Sequence, residues 1–166
     1  MRFRCSGIEA TSRAARALAE SIGSEGLLLS LIGPLGAGKT AFVKGLAAGL
    51  GVDPDTVSSP TFVIANQYAA GSRTLAHVDL YRLETARELD DAGFVDLLEP
   101  GAVVAVEWGD RLPEALPADR LELRIERDAA VAESRTFAAS ATGRGSRGTL
   151  AAWQGSLGRI PQVETL

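Results

Sequence analysis

Apolar positions in this chain recur at two spacings, and the way these alternate lays out a fold. Ala14, Leu18 and Ile22 share one face of a helix predicted over Ile8 to Ile22. Phe42, Val43, Leu46, Ala47 and Leu50 follow three- and four-residue steps across a second helix, predicted over Thr40 to Leu50 and stopped by Gly51. Between them the unbroken apolar run Leu27 to Ile32 reads as a strand buried on both faces in a parallel sheet, and Ala102 to Val106 reads the same way. Arg2 to Cys5 suits an edge strand. Phe62 to Tyr68 and Leu75 to Leu80 read as strands joined in a hairpin through Ala69 to Ser72, and Leu121 to Ile125 alternates as a strand that Arg135 to Ala139 would pair with. Thr85 to Asp91 predicts a short helix, with Thr85 as cap, Glu88 completing a capping box, and Gly93 beyond its end. Hairpins mixed with buried parallel strands predict an α/β fold with a mixed central sheet and flanking helices.

The junction between the first buried strand and the second helix carries the chemistry. Gly33-Pro34-Leu35-Gly36-Ala37-Gly38-Lys39-Thr40 fits the phosphate-loop pattern GxxxxGK[ST], with the strand before it and the helix after it that the pattern requires. Glycines let the backbone curl until successive N–H groups face one concavity at the positive end of the helix dipole, where phosphates bind. Gly33, Gly36, Ala37 and Gly38 would form that cradle. Lys39 would reach the β- and γ-phosphates, and the Thr40 hydroxyl would ligate a Mg²⁺ that keeps most of its waters. A P-loop NTPase domain that binds a nucleoside triphosphate is the expectation.

Composition narrows the remainder. A chain of 166 residues suits one domain and buries about two-thirds of the surface its unfolded form exposes. The net charge of −4 argues against a protein that holds nucleic acid by its own electrostatics. The single cysteine, Cys5, has no partner for an internal disulfide, and the single histidine, His77, leaves no His/Cys set at zinc-ligand spacing. Neither a signal peptide nor a bilayer-length apolar segment is present in the sequence, so a cytoplasmic protein without membrane contact is expected.

A phosphate loop alone does not hydrolyse ATP, and a carboxylate at the end of a neighbouring buried strand is the usual complement. Glu107 closes the run Val103-Val104-Ala105-Val106 and would hold a Mg²⁺ water or orient the attacking water. Asp79, in His77-Val78-Asp79-Leu80-Tyr81-Arg82, is a second acid after a strand. Ser58-Ser59-Pro60-Thr61 supplies a hydroxyl where other nucleotide hydrolases carry a γ-phosphate-sensing switch, although by itself Ser-Pro-Thr is only a turn signal.

Taken in order, GPLGAGKT, SSPTF, HVDLYRLE, the spaced Glu88-Leu89 and Gly93, and VEWGD resemble the TsaE (older name YjeE) ATPases over about Leu27 to Leu123. That resemblance implies a Mg-dependent ATPase required for threonylcarbamoyl modification of the adenosine next to the anticodon in bacterial tRNA. Such a protein acts on or resets the complex of the TsaD and TsaB proteins, and meets tRNA only through that complex. By position, the resemblance assigns Gly36 to Thr40 to the phosphates, Lys39 to catalysis as well as binding, Thr40 and Glu107 to Mg²⁺, Thr61 to the switch, and Asp79 to support of hydrolysis. Trp108 matches a tryptophan near the nucleotide, against the alternative of ordinary strand-end packing. Arg82 is open between an arginine finger and a salt bridge within its own turn. For the adenine, the resemblance points to Ile8 to Thr11, Thr11 above all, and to Arg135.

Two departures stand out: Pro34 where relatives carry aspartate, and Asn66-Gln67-Tyr68 where relatives place a glutamate before the tyrosine. Residues 1–142 form the expected ATPase domain. Residues 143–166, opened by the Arg/Gly/Ser-rich stretch Gly143 to Gly148, are expected to be a flexible or weakly structured tail with at most a short helix from Thr149 to Leu157. A small kinase and a nucleotide-gated assembly factor are the competing functions; no arginine-rich lid insertion favours the first.

Overall fold

The computed structural model describes residues 1–128 and 131–166. Eight strands, β1 (Arg2–Ser6), β2 (Leu27–Ile32), β3 (Ala65–Ala70), β4 (Arg73–Asp79), β5 (Val103–Glu107), β6 (Leu121–Arg127), β7 (Ser134–Ala141) and β8 (Val163–Thr165), form one sheet in the order β3-β4-β5-β2-β6-β7-β1-β8. The four centre strands β4, β5, β2 and β6 run parallel, and antiparallel pairs flank them on both sides, so the sheet is mixed as the hairpin signals predict. Among the described residues four α-helices complete the fold: α1 (Ile8–Glu20), α2 (Lys39–Gly49), α3 (Ala86–Asp91) and α4 (Arg144–Leu157).

Side chains alternate across the sheet and feed two separate cores. Leu29, Leu31, Leu75, Val103, Ala105, Leu121, Leu123 and Phe137 face α1, α2 and α4. Leu28, Ala76, Val78, Val104 and Val106 face the other side, where α3 and its neighbouring turns bring Leu80, Leu89, Phe94, Leu97, Leu112 and Leu116. By the same alternation His77, Asp79 and Glu107 lie on the face that carries α2. Helices α1 and α2 pack closely because α2 presents Gly45 and Gly49: a Cβ at either would stand 2.8 or 2.6 Å from the Cβ of Ala15 or Ala19.

Two expectations are corrected. Arg2 to Ser6 is not an edge, because β8 pairs on its far side, with Phe3 opposite Thr165 and Cys5 opposite Val163. The segment from Gly143 is not a flexible tail. It forms α4, whose first turn is tied down by Asp119 accepting from Gly145 N and Ser146 N at 2.7 and 2.9 Å. Hydrogen bonds from the Ser146 side chain and amide hold the Asp119 carboxyl below its usual range. Trp153 then enters the core completely, donating Nε1–H to Ala14 O at 2.8 Å and meeting Phe3 and Phe42 edge-on at 5.2 and 6.1 Å. Phe137 stacks on Phe3 at 4.8 Å. The Arg/Gly/Ser composition conceals this helix because its burial depends on one face only, through Ser146, Thr149, Trp153 and Leu157.

Other predicted elements stand with shifted ends. Thr85 caps α3, with the Glu88 carboxylate accepting from the Thr85 amide at 3.0 Å, and the β3–β4 hairpin turns at Gly71. Residues 62–64 precede β3 rather than belonging to it.

The aromatic cluster makes a direct prediction: Trp153→Ala costs about 3–5 kcal/mol in urea denaturation, the range for emptying a large aromatic site. Cys5 provides a second. Burial pushes its thiol up from 9.0 to about 12, against weaker opposing pulls from Thr11 and Arg13. The native protein is therefore expected not to react with a disulfide reagent at pH 8, while the unfolded chain reacts fully. Because the unfolded thiol ionises first, this group's contribution to stability is complete below about pH 9 and is lost as the pH rises towards 12.

Candidate nucleotide-binding site

Parallel pairing places the ends of the central strands side by side. Leu31, near the end of β2, is opposite Glu107 on β5, and Asp79 on β4 is opposite Glu107 on its other side. The phosphate loop leaves β2 at this edge and enters α2, with Gly36 and Gly38 at φ 70° and 112°, values that side chains disfavour. Loop, hydroxyl and both acids thus meet at the carboxyl ends of the strands, where open α/β sheets bind their ligands.

The contacts within the site are short and specific. Thr40 Oγ1 donates to Glu107 Oε1 at 2.7 Å, and His77 Nε2 lies 2.8 Å from the same oxygen. Glu107 is 4% exposed. Asp79 Oδ2 accepts from Thr61 Oγ1 at 2.7 Å and from Ser59 Oγ at 3.2 Å, while Oδ1 accepts from the Tyr81 amide at 2.8 Å. The loop at Ser58 to Ile64 is therefore fastened to β4 through one carboxylate. Lys39 Nζ donates to Gly33 O and Pro34 O at 2.8 and 3.1 Å and sits 3.7 Å from the centre of the Trp108 ring. Burial lowers the Lys39 pKa, and the nearby charges of Glu107, Asp79 and Asp110 oppose that shift.

Trp108 adopts φ 61°, unusual for a residue with a side chain, and this turn away from the strand sets its ring against Lys39 and, at 5.1 Å, against Tyr81. The ring also packs, partly buried, against the core on the α3 side of the sheet. No salt bridge to Arg82 is found among the described residues, and its guanidinium lies 4.4 Å over the Phe62 ring.

Two cavities meet at the phosphate loop. One, of about 390 Å³, is lined by Lys39, Thr40, Ser59, Thr61, Asp79, Glu107 and Trp108 together with the loop. The other, of about 250 Å³, is lined by Gly7, Ile8, Thr11, Glu133 and Arg135. Gly36, Gly38 and Ala41 border both. The structure thus brings Thr11 and Arg135 to the far side of the loop from the acids.

Three side chains at this site were not picked out in the sequence. Ser59 shares Asp79 with Thr61. His77 is fully buried against Glu107. Arg127 reaches across from β6 and donates to Leu35 O at 3.3 Å and to Gly36 O at 2.9 Å, while Arg135 Nε, from the residue opposite it on β7, donates to Ala37 O at 3.0 Å. In a trans peptide the carbonyl and the following N–H point in opposite directions. Holding three successive carbonyls towards the arginines therefore turns the next N–H groups of the loop the other way. No sequence spacing marks Arg127, since only the β6–β7 register brings it here.

Comparison with known proteins places this geometry in a family. The family model of the threonylcarbamoyl adenosine biosynthesis protein TsaE matches residues 5–137. The chain belongs to the TsaE family. A Bacillus subtilis protein named tRNA threonylcarbamoyladenosine biosynthesis protein TsaE is 39% identical over 127 residues, 76% of this chain and 78% of the relative. A Streptomyces coelicolor protein of the same name is 42% identical over 125 residues, 74% of this chain and 83% of the relative. The crystal structure of Bacillus subtilis YdiB superposes with a TM-score of 0.73 at 31% identity, covering 93% of this chain and 94% of that one. The family match ends before α4, whose Trp153 and Leu157 enter the core from outside the matched segment. No helix among the described residues is long and apolar enough to cross a membrane.

Removing one of the arginines separates loop order from global stability. Arg127→Ala is expected to weaken binding of an ATP analogue roughly 2- to 10-fold, the worth of one or two net hydrogen bonds. Its thermal midpoint should stay close to wild type, because the side chain is exposed. Calorimetric titration and a melting curve check both.

Proposed function

We propose that this TsaE-family chain is a Mg-dependent ATPase that serves threonylcarbamoyladenosine formation in tRNA by acting on or resetting the TsaB–TsaD complex in the cytoplasm. The observation that carries the nucleotide reading is the pair of cavities that share Gly36, Gly38 and Ala41 as lining residues. A ligand laid across the loop would have a polyphosphate end among Lys39, Thr40, Glu107, Asp79 and Thr61 and a nucleoside end between Thr11 and Arg135.

The donor set fits Mg²⁺. The hydroxyl and carboxylate oxygens of Thr40 and Glu107 suit a hard cation that retains waters and takes its remaining ligands from phosphate, and no group of three His, Cys, Asp or Glu is found that would hold a softer metal among the described residues. Bound there, the ion would neutralise charge on the β- and γ-phosphate oxygens.

The chain's own groups divide the remaining work. Loop N–H groups bind phosphate oxygens, and Lys39 exchanges its carbonyl partners for the β- and γ-phosphates. Glu107 holds a water by its carboxylate. Thr61, fixed by Asp79, stands at the γ-phosphate end, where its loop would register whether that phosphate is present. In hydrolysis a water oxygen bonds to the γ-phosphorus as the bond to the ADP oxygen breaks, yielding ADP and phosphate with release of the water proton. The net charge of −4 supports a role in which tRNA is met through the partner complex.

The test is ATP turnover by the purified chain, alone and with its cognate TsaB–TsaD complex. Slow turnover alone and marked stimulation by the complex are expected. Lys39→Ala should lose nucleotide binding, whereas Glu107→Ala should retain nucleotide affinity within a few-fold and lose about 10²-fold or more in turnover, as expected for a water-orienting group. Unchanged turnover in both variants would overturn the site, and absence of both stimulation and complex formation would redirect the search to kinase acceptors.

A further inference from the structure

One buried polar side chain at the site has no part in the chemistry proposed above. His77 is the single histidine of the chain and is 0% exposed. Its Nε2 lies 2.8 Å from Glu107 Oε1, and its Nδ1 is buried without a hydrogen-bond partner among the described residues. An unpaired buried ring nitrogen is costly, and an apolar side chain of similar size would fill the same space without that cost.

The chemistry of the pair sets the direction of the bond. An ionised carboxylate accepts only, so Nε2 is the donor of this bond, while Nδ1 is buried with no acceptor for a proton of its own among the described residues. Thr40 Oγ1 donates to the same Oε1 at 2.7 Å. The last torsion of a glutamate is otherwise broad and nearly two-fold. With two donors converging on one oxygen, rotation about it breaks both bonds at once. Oε2 is then the oxygen left to accept from water in the cavity that Glu107 lines.

We propose that His77 is a positioning residue: through Nε2–H it locks the Glu107 carboxylate in the orientation that serves Mg-nucleotide. This role rests on the nucleotide reading above, but the hydrogen bond beneath it is testable on the free protein. Groups that orient a metal's ligands typically change metal affinity 10- to 100-fold when removed.

A single histidine makes the test clean. In untagged, ¹⁵N-labelled protein, long-range proton–nitrogen correlation is expected to give the Nε2–H tautomer, with a ring N–H proton that shifts in Glu107→Gln. A ring protonated at Nδ1 would overturn the assignment. Binding of a non-hydrolysable ATP analogue, with Mg²⁺ and in EDTA, then tests the role. His77→Leu should keep its EDTA affinity but lose roughly 10-fold of the gain that Mg²⁺ provides. His77→Gln, whose amide nitrogen reaches about as far as Nε2, should recover it. A full Mg²⁺ response in His77→Leu would sink the proposal. Should that variant fail to fold, a lost Mg²⁺ response in a folded His77→Gln would sink it equally. Wild-type protein with no Mg²⁺-dependent binding would instead defeat the nucleotide reading, leaving the tautomer to decide the bond itself.

Discussion

A carboxylate buried at the edge of a sheet has to be supplied with donors, and that constraint organises this molecule. Glu107 is 4% exposed, so an ionised side chain there is tenable only where hydrogen bonds replace water. Its donors come from two different elements, Thr40 at the start of α2 and His77 within β4. Both are in reach because β5 runs parallel between β2 and β4 in a fixed register. The pairing that satisfies a buried charge is also the pairing that puts a phosphate loop, a lysine and two acids at one end of the sheet. Stability and site assembly depend on the same strand order.

Around that centre, backbone groups are held by side chains drawn from far along the chain. Asp79 collects two hydroxyls of the Ser58–Ile64 loop and the Tyr81 amide, so one carboxylate determines where that loop stands. Arg127 and Arg135 hold the outer carbonyls of the phosphate loop from the opposite side. The two loops are thus held by side chains from different strands, the kind of fixed arrangement that the proposed phosphate binding calls for. Hydrophobic exposure follows the same geography. Leu35, which borders the larger of the two site cavities, is 81% exposed, and Phe62, in the Asp79-bound loop, is 83% exposed, whereas β2 and β5 beneath are buried at every residue.

Much of this was readable from residue order. The phosphate loop, its strand and its helix are local in sequence, because turn chemistry, apolar run and helical spacing all act within about twenty residues. Glu107 and Asp79 were readable for a similar reason, as acids at the ends of apolar runs. Trp108 was open between two readings, since the sign of its φ angle, which decides the ring's direction, leaves no mark in the sequence. The contact of Arg82 with the Phe62 ring was not readable, because that ring lies twenty positions away in a loop whose course residue order leaves undetermined.

Residue order alone was enough for the family, the mixed α/β class and the residues able to handle a phosphate, because each rests on short patterns with a local physical cause. It took the folded arrangement to show that the Arg/Gly/Ser-rich end is a docked helix, that His77 and Arg127 belong to the site, and that Thr11 and Arg135 line a cavity together with Gly36 and Gly38 of the loop. Those facts depend on strand order and register across as many as 139 positions of chain, as for the Trp153 bond to Ala14. Such contacts are fixed by packing complementarity between distant faces, which no local periodicity encodes.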